Sequence, residues 1–527
     1  MKQLFTPLRI AAAAAVFLAP LILYAQNAQP QQPAQPPQQI QAQKAAQQND
    51  VPNDGPVPNN AGAKVDVKVP DPQPFASKDG KIKGWQLTIP GNRPLATPAV
   101  VDGKLYIGGG FGSHEFYALD AATGKKVWLY RTGDDGPTAA VIDDGYIAFN
   151  TESCELEILT VDGKRVWKKW LGDPLMSMPA MSAGKVYMAY PDSKGDRSHY
   201  LACFEVKTGK EFWKKKIAGE IITAPIVTDE KVYLSTLEGT VYCFGQHDGE
   251  LIWQEKKNAT SAPLVFNKQC YFGRRIEVTM KGADGKEVKY QQEQLAWRGI
   301  TRDAQLKDIE STKRKADDLD IVKNEAKPLE RAQKAQDATV GFANAPADAK
   351  LDQARANLGK GSVCGVWSYQ GSKPFIYNDR MYSSMGDTLK CVDPKTEKVI
   401  WEKKLHEVAE KDKDKVDSLT TPPALVNGKA FVGTTAGEVI CVKADTGEVL
   451  WKANVGAAVL FQPAVAKGRV YVSTNNGGLF SLETGDPKDD GWLMWGANAG
   501  ITAASNYMSP CRESTSRGEG DLSPCRF

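Results

Sequence analysis

The sequence predicts an all-β fold, an eight-bladed β-propeller of four-stranded antiparallel blades, and three observations predict it. A phrase that ends in tryptophan recurs along the chain. A second phrase, which begins a strand with a small residue or proline, recurs independently. Most neighbouring copies lie about forty residues apart. That spacing suits four strands of about five residues joined by tight turns, and radial stacking of such sheets buries both faces of each.

The tryptophan phrase is an alternating apolar strand with a small residue, then a glycine turn, then Trp. The predicted repeat tryptophans are Trp128, Trp167, Trp213, Trp253, Trp297, Trp401, Trp451 and Trp495, the last paired with Trp492. The predicted turn glycines are Gly124, Gly163, Gly209, Gly249 and Gly447. A large ring at a fixed position in each blade is expected to pack one blade against the next. The alternative is a stacking platform for a ligand.

The second phrase marks the first strand of each blade and gives an independent count. Thr97 to Val100 precede an aromatic-centred strand at Tyr106, and seven further copies follow. A strand at Gly84 to Leu87 lies before the first copy, and Gly491 to Trp495 end the last repeat. We expect strands from both ends of the chain to complete one shared blade, because such a blade leaves no free sheet edge at the junction.

The two ends of the chain lie outside the repeats. Residues 1–25 combine a short basic start with about fifteen apolar residues, too few for a spanning helix, and predict a signal peptide or an uncleaved N-terminal anchor. Residues 26–74 are rich in Gln and Pro and predict a disordered tether. Residues 498–527 predict an irregular tail, in which Cys511 and Cys525 are candidates for a disulfide.

One insertion divides the propeller. Blades 1 to 5 are predicted over residues 75–299 and blades 6 to 8 over residues 361–497. Between them, residues 300–360 are rich in Ala, Leu, Lys, Glu and Gln and predict one or two exposed, charged helices, with Pro328 as a break. The insertion either grips a partner or is a solvated excursion.

Motifs of catalysis are missing from the sequence. The four His residues lie in separate repeats without metal-ligand spacing, so no metal site is predicted. No nucleophile elbow, phosphate loop or dinucleotide fingerprint occurs, and no catalytic residue is proposed. Cys203, Cys243, Cys391 and Cys441 share one small strand position, which indicates buried reduced thiols. A formal net charge of +3 gives no reason to expect a nucleic-acid partner.

The phrase from Ala118 to Trp128 resembles the repeat of pyrroloquinoline-quinone (PQQ)-type propellers. One branch, similar to BamB, is non-catalytic and serves as the propeller subunit of the outer-membrane β-barrel assembly machinery. This chain differs from that branch in lacking a lipidation Cys after the apolar segment, in its tether and in its insertion. A second branch comprises the quinoprotein alcohol and sugar dehydrogenases, whose adjacent Cys pair and calcium ligands have no counterpart here.

The resemblance implies an exported, non-catalytic and monomeric scaffold that binds protein partners in the periplasm or cell envelope, with no cofactor and an N-terminal membrane association through residues 1–25. Two alternatives remain open. One is a PQQ-dependent dehydrogenase with calcium, whose cofactor residues are unknown in this sequence. The other is a propeller that binds carbohydrate or cell wall. The binding surface is expected on the insertion and on the loops at the mouth of the ring.

Overall fold

The computed structural model describes residues 67–312, 374–405 and 420–493, apart from short gaps at 111, 153, 173–176, 193–197, 229, 282–286 and 386–387. The predicted all-β fold is confirmed, since these residues form eight antiparallel sheets arranged as blades. No helix among them is long and apolar enough to cross a membrane. The predicted helical insertion, the signal segment and the Cys511 and Cys525 pair lie largely or wholly outside the described residues.

Two strands precede the first complete blade, and they are β1 (Gln73–Ala76) and β2 (Lys83–Thr88). Blade 1 comprises β3 (Ala99–Val101), β4 (Lys104–Gly108), β5 (Glu115–Asp120) and β6 (Lys126–Arg131). Blade 2 comprises β7 (Val141–Asp143), β8 (Tyr146–Asn150), β9 (Glu155–Thr160) and β10 (Arg165–Trp170). Blade 3 comprises β11 (Ala180–Ser182), β12 (Lys185–Pro191), β13 (His199–Glu205) and β14 (Glu211–Ile217).

Blade 4 comprises β15 (Ile226–Thr228), β16 (Lys231–Ser235), β17 (Thr240–Gly245) and β18 (Leu251–Lys256). Blade 5 comprises β19 (Leu264–Phe266), β20 (Gln269–Lys281), β21 (Glu287–Gly299) and β22 (Lys307–Ile309), followed by a 3-10 turn at Glu310–Thr312. Blade 5 therefore continues past the predicted boundary at residue 299, because Lys307–Ile309 pairs with β21 as its fourth strand.

Blade 6 comprises β23 (Pro374–Tyr377), β24 (Arg380–Met385), β25 (Thr388–Val392) and β26 (Val399–Lys404). Blade 7 comprises β27 (Ala424–Val426), β28 (Lys429–Gly433), β29 (Glu438–Lys443) and β30 (Val449–Asn454). Blade 8 begins with β31 (Ala464–Ala466), β32 (Arg469–Ser473) and β33 (Gly478–Glu483).

The ring closes by completing blade 8 with strands from the other end of the chain. β2 pairs with β33, and β1 pairs with the outer side of β2, so this sheet has five strands. β3 of blade 1 lies against β31 of blade 8. The predicted sharing of one blade by both ends is therefore present, and it begins at Gln73, inside the predicted tether.

A three-residue row crosses most blades and explains the cysteine pattern. The second strand carries an aromatic ring, the third a small residue and the fourth the tryptophan, all in register, as in Tyr233, Cys243 and Trp253. The two rings of a row are 5.9 to 6.4 Å apart, which leaves little room between them. Burial raises the pKa of the Cys203, Cys243 and Cys441 thiols to about 12, so they stay protonated and unreactive.

Antiparallel strands give the ring two unlike faces. The connections from first to second strands and from third to fourth strands lie on one face, which we call the turn face. The connections from second to third strands and from one blade to the next lie on the other, which we call the loop face. The described residues on either side of the gaps at 313–373 and 406–419 follow fourth strands or begin a new blade, so the described chain stops and resumes on the loop face at both gaps.

Candidate interaction site

The repeat tryptophans lie at the contacts between blades. In six cases the indole Nε1 donates a hydrogen bond to a backbone carbonyl in the turn of the next blade. The observed pairs are Trp85 with Ala121, Trp128 with Val161, Trp167 with Val206, Trp213 with Gln246, Trp253 with Ile300 and Trp401 with Ala444. The donor to acceptor distances are 2.6 to 3.2 Å.

The turn glycines cover the faces of these rings. A Cβ added to Gly124, which has a φ of +72°, would lie 2.9 Å from the Trp85 ring. The corresponding pairs are Gly163 with Trp128, Gly209 with Trp167, Gly249 with Trp213 and Gly447 with Trp401. Backbone that approaches an indole this closely leaves no space for a ligand between them, so these tryptophans pack blades together.

Three tryptophans differ from the predicted set. Trp85, on β2, holds the repeat position of blade 8, because it pairs with Ser481 as Trp451 pairs with Cys441. Trp297 lies on the third strand of blade 5, opposite Tyr271 and Lys307, so Lys307 occupies the place of a repeat tryptophan. Trp495 lies outside the described residues. The spacing along the chain did not identify the roles of Trp85 and Trp297. The repeat position is defined by its place on the fourth strand of a blade, and not by its distance from a glycine.

The inner strands of the ring meet Trp492 and Leu493 after blade 8. Trp492 pairs with Val465 of β31, and its ring lies 5.3 Å from that of Phe375 in blade 6. The Leu493 carbonyl accepts a hydrogen bond of 2.8 Å from the backbone N–H of Val100 in blade 1. Trp492 is only 3% exposed. This short segment therefore contacts the inner strands of three blades.

An ion cluster holds the segment that leads to Trp492. The Lys429 ammonium lies 2.8 Å from the buried Asp489 carboxylate and 3.1 Å from Asp486. Asn427 donates to both carboxylates at 2.8 Å. Hydrogen bonds from the Lys488 backbone and the Lys429 ammonium hold the pKa of Asp486 below its usual value. The segment is thus fixed to blade 7 before it reaches the ring's inner strands.

Hydroxyl groups precede several inner strands, but their hydrogen bonds are made within their own blades. Each contacts the backbone of the residue twelve positions further along. Thr138 accepts from the Asn150 N–H, Ser261 from the Gly273 N–H and Thr421 from the Gly433 N–H, while Ser177 donates to the Ala189 carbonyl. These distances are 2.5 to 3.3 Å. The hydroxyls thus stabilise the blade entrances.

The residues of the inner strands do not fit a PQQ cofactor. PQQ is a tricarboxylate and requires cationic or polar partners, since buried carboxylates need paired charges. The eight described inner strands contain no Lys, Arg or His. In the described part of the chain, no group of three His, Cys, Asp or Glu side chains is arranged for a metal ion.

The largest departure from the blade pattern is a hairpin on the loop face of blade 5. β20 and β21 each have thirteen residues, whereas the other second and third strands have five to seven. Their pairing runs unbroken from Gln269 with Gly299 to Lys281 with Glu287. The hairpin extends beyond its neighbours β19 and β22. The sequence pattern did not predict it, because the insertion that interrupts the repeats was predicted to begin only after residue 299. Among the described features, this hairpin is the candidate interaction site.

Two groups anchor blade 5 at its base. The buried Arg298 donates to Glu255 of blade 4 at 2.8 Å and to the Thr301 carbonyl at 2.9 Å. Its guanidinium carbon lies 4.1 Å from the Trp253 ring centroid. At the hairpin root, Arg274 lies 3.5 Å from Asp308 of β22. The hairpin therefore projects from a blade that is fixed to its neighbour by charge and by ring contacts.

The arrangement of eight four-stranded blades with Trp and Gly contacts defines the chain as a PQQ-type β-propeller. The sequence model of the family described as outer membrane protein assembly factor BamB matches residues 75–169, 157–326 and 374–505. These matches cover more than half of the chain, and the chain therefore belongs to the BamB family.

Individual relatives match shorter stretches. BamB of Burkholderia pseudomallei is 28% identical over 111 residues, which are 21% of this chain and 29% of the relative. Lupanine 17-hydroxylase [cytochrome c] of a Pseudomonas species is 30% identical over 140 residues, 23% of this chain and 20% of the relative. The solved structure of BamB from Moraxella catarrhalis aligns over 76% of this chain and 98% of its own, with 14% identity and a TM-score of 0.48. The chain thus matches under a third of the length of these two curated relatives.

Proposed function

We propose that this protein is a non-catalytic, exported scaffold of the cell envelope that binds protein partners during outer-membrane protein assembly. The observation that carries the proposal is the composition of the ring's inner strands. These strands are mostly apolar, and those of blades 1, 6 and 8 contact Trp492 or Leu493. The surfaces that we expect a partner to use are therefore the faces and edges of the ring. Membership of the BamB family supplies the class of partner.

The site of action in this proposal is the periplasm or the periplasmic face of a membrane. Its support is the basic and apolar character of residues 1–25, followed by the Gln- and Pro-rich residues 26–74. Fractionation of cells that express the full chain tests it. We expect the protein in the periplasmic or envelope fraction, and retention in the cytoplasm would contradict the proposal.

Two measurements test the scaffold function. Deletion of the gene in its host is expected to lower the abundance of outer-membrane β-barrel proteins, and the full chain is expected to restore it. A photo-crosslinking residue at Thr279, on the exposed hairpin, is expected to capture envelope proteins. The control places the same photo-crosslinking residue at Val127, which is 49% exposed at the outer edge of blade 1 and lies away from the hairpin. Unchanged barrel proteins and no capture at either position would overturn the proposal.

The second candidate function is a PQQ-dependent dehydrogenase, the alternative that the repeat resemblance leaves open. A stretch of the chain also matches an enzyme, lupanine 17-hydroxylase [cytochrome c]. Purified full chain would be mixed with calcium and PQQ, and bound quinone absorbance and dye-linked alcohol oxidation would be measured. The scaffold proposal expects neither, because the inner strands carry no cationic side chain for the quinone carboxylates. Clear turnover would sink the scaffold proposal.

A further inference from the structure

Within the described residues, the hairpin of blade 5 has two long strand edges that pair with no neighbouring strand. β19 pairs with β20 only at Gln269 to Tyr271, and a single bridge joins Ala259 to Arg274. β22 pairs with β21 only at Leu295 to Trp297. Beyond these points, no strand among the described residues pairs with either outer edge. Unpaired edges of this length invite another strand.

Hydrogen bonds at the root show which backbone groups face outward. The Leu295 N–H donates to Thr312 Oγ1 at 2.9 Å, on the side away from β20. The backbone direction alternates along a strand, so every second residue towards the tip faces the same way. On β21 these outward residues are Glu287, Lys289, Gln291 and Glu293. On β20 the Arg275 N–H donates to the Asn258 carbonyl at 3.0 Å, and the outward residues are Glu277, Thr279 and Lys281.

The same alternation sorts the hairpin's sequence into two faces. The residues with outward backbone groups are all polar or charged, and their register places Lys281 opposite Glu287. The intervening positions of the register are mostly apolar, namely Ile276, Val278, Met280, Val288 and Tyr290, with Gln292 as the exception. The hairpin is therefore amphipathic by sequence, and a strand that extends it needs the same alternation.

Stability favours a third strand. A two-stranded hairpin alone is marginally stable in water, whereas three strands with an apolar face are stable. The free edge of β21 lies on the side of β22, the outermost strand of the blade, and the free edge of β20 lies on the side of the inner strand β19. The β21 edge therefore lies on the outside of the ring. It has four residues whose backbone groups face outward, whereas the β20 edge has three.

We propose that the edge of β21 from Glu287 to Glu293 binds an extended strand of a partner protein in which apolar and polar residues alternate, by adding it to the hairpin as a further β-strand. Backbone hydrogen bonds supply the affinity in this mode, and the alternating side chains supply the selectivity. The inference rests on the proposed scaffold function for its biological meaning, and it names the chemistry of the partner.

A peptide assay on the full chain tests the proposal. The probe is a fluorescent, end-capped peptide of ten residues in which Val and Thr alternate, and its control has the same composition with Val and Thr in two blocks. We expect the alternating peptide alone to bind. Lys289→Pro removes one outward N–H without taking a hydrogen bond from the hairpin, and should weaken binding at least about tenfold. Lys289→Ala keeps that N–H and should bind as the original chain does.

Further variants separate the alternatives. Thr279→Pro, on the other edge, should bind normally, and its loss of binding would assign the partner to β20 and overturn the proposal. Equal binding of the two peptides, or normal binding by Lys289→Pro, would also overturn it. Binding that appears only after deletion of residues 315–371 would assign the edge to the chain's own insertion. Capture of envelope proteins in cells without peptide binding would sink the strand proposal and leave the scaffold function intact.

Discussion

Two blade interfaces of this ring share one frame but bury different ionisable groups. In both, a tryptophan donates to a carbonyl of the next blade, Trp128 between blades 1 and 2 and Trp253 between blades 4 and 5. The first also buries Glu157, and the second buries Arg298. A buried charge is stabilised only when its polar atoms have hydrogen-bond partners. Arg298 has a partner for each of its side-chain nitrogens, whereas Glu157 has one for only one of its two carboxylate oxygens in the described structure.

Arg298 is compensated from several directions. It contacts the Glu255 carboxylate, three backbone carbonyls and the face of Trp253. Glu157 accepts a hydrogen bond from the Tyr130 hydroxyl of blade 1, but its Oε1 atom is buried without a hydrogen bond within the described structure. Burial raises the pKa of Glu157 to about 7. The interface between blades 1 and 2 is therefore sensitive to pH near neutrality through Glu157.

Truncation of the shared tryptophan is expected to have the largest effect. Trp253→Ala should lower the free energy of unfolding by about 3–5 kcal/mol, because a buried ring and its hydrogen bond to the next blade are lost. Trp128→Ala should cost less than Trp253→Ala, because the Trp128 ring is half-buried, although it also loses a hydrogen bond to the next blade. Urea denaturation followed by circular dichroism measures it. Trp297→Ala is the control and should cost less, because Trp297 lies outside the repeat position and is half-buried. A smaller loss for Trp253 than for Trp297 would break the comparison.

Removal of the compensated charge comes next. Arg298→Met should cost about 2–4 kcal/mol of unfolding free energy, since Glu255 and the carbonyls lose their donor. The double variant with Glu255→Gln should recover part of the loss, because Glu255 no longer stands as an unpaired charge. Equal stability of the single variant and the original chain would show that the contacts of Arg298 contribute nothing to stability.

The pH dependence of Glu157 should be somewhat smaller. Its folded-state pKa is raised above the ordinary 4.5, so the folded state holds a proton that the unfolded state releases. Stability from this group is therefore present at low pH and falls as the pH rises through about 7, by about 2–3 kcal/mol between pH 5 and pH 8. Glu157→Gln should lack this component in denaturation curves at the two pH values. An unchanged pH dependence in that variant would contradict the assignment.

Loss of the hydrogen bond from the Tyr130 hydroxyl to the Glu157 carboxylate should have the smallest effect. Tyr130→Phe should lower stability by about 1 kcal/mol. The Tyr130 hydroxyl favours the ionised carboxylate, so its removal should raise the pKa of Glu157 further. The midpoint of the pH dependence measured by denaturation should move upward. A downward movement would show that another group titrates.

Much of the fold could be predicted because each blade repeats the same two sequence phrases. The two phrases gave eight blades, and the strand at Trp85 indicated closure by both ends of the chain. The fixed small position also predicted buried cysteines, which lie between the two rings of a row. These features depend on local alternation and on turn chemistry, both of which a single repeat displays.

The candidate site was harder to predict. Trp297 was assigned to a repeat position, but the long hairpin shifts it to the third strand, with Lys307 as its neighbour. The sequence of this hairpin resembles that of the other hairpins in the chain. Only the strand pairing shows that its two strands are longer than the other strands of blade 5. The position of Trp492 against three blades also depends on the closed ring.

The sequence by itself determined the number of blades, the glycine and tryptophan at several blade contacts, and the small residue between two rings, because these repeat with a local period. Only the tertiary structure decided which tryptophan fills blade 8, which charges are compensated between blades, and which strand edges stay open. Those outcomes depend on partners that are distant in the chain, and the free energy of a buried or unpaired group is set by the neighbours that folding brings to it.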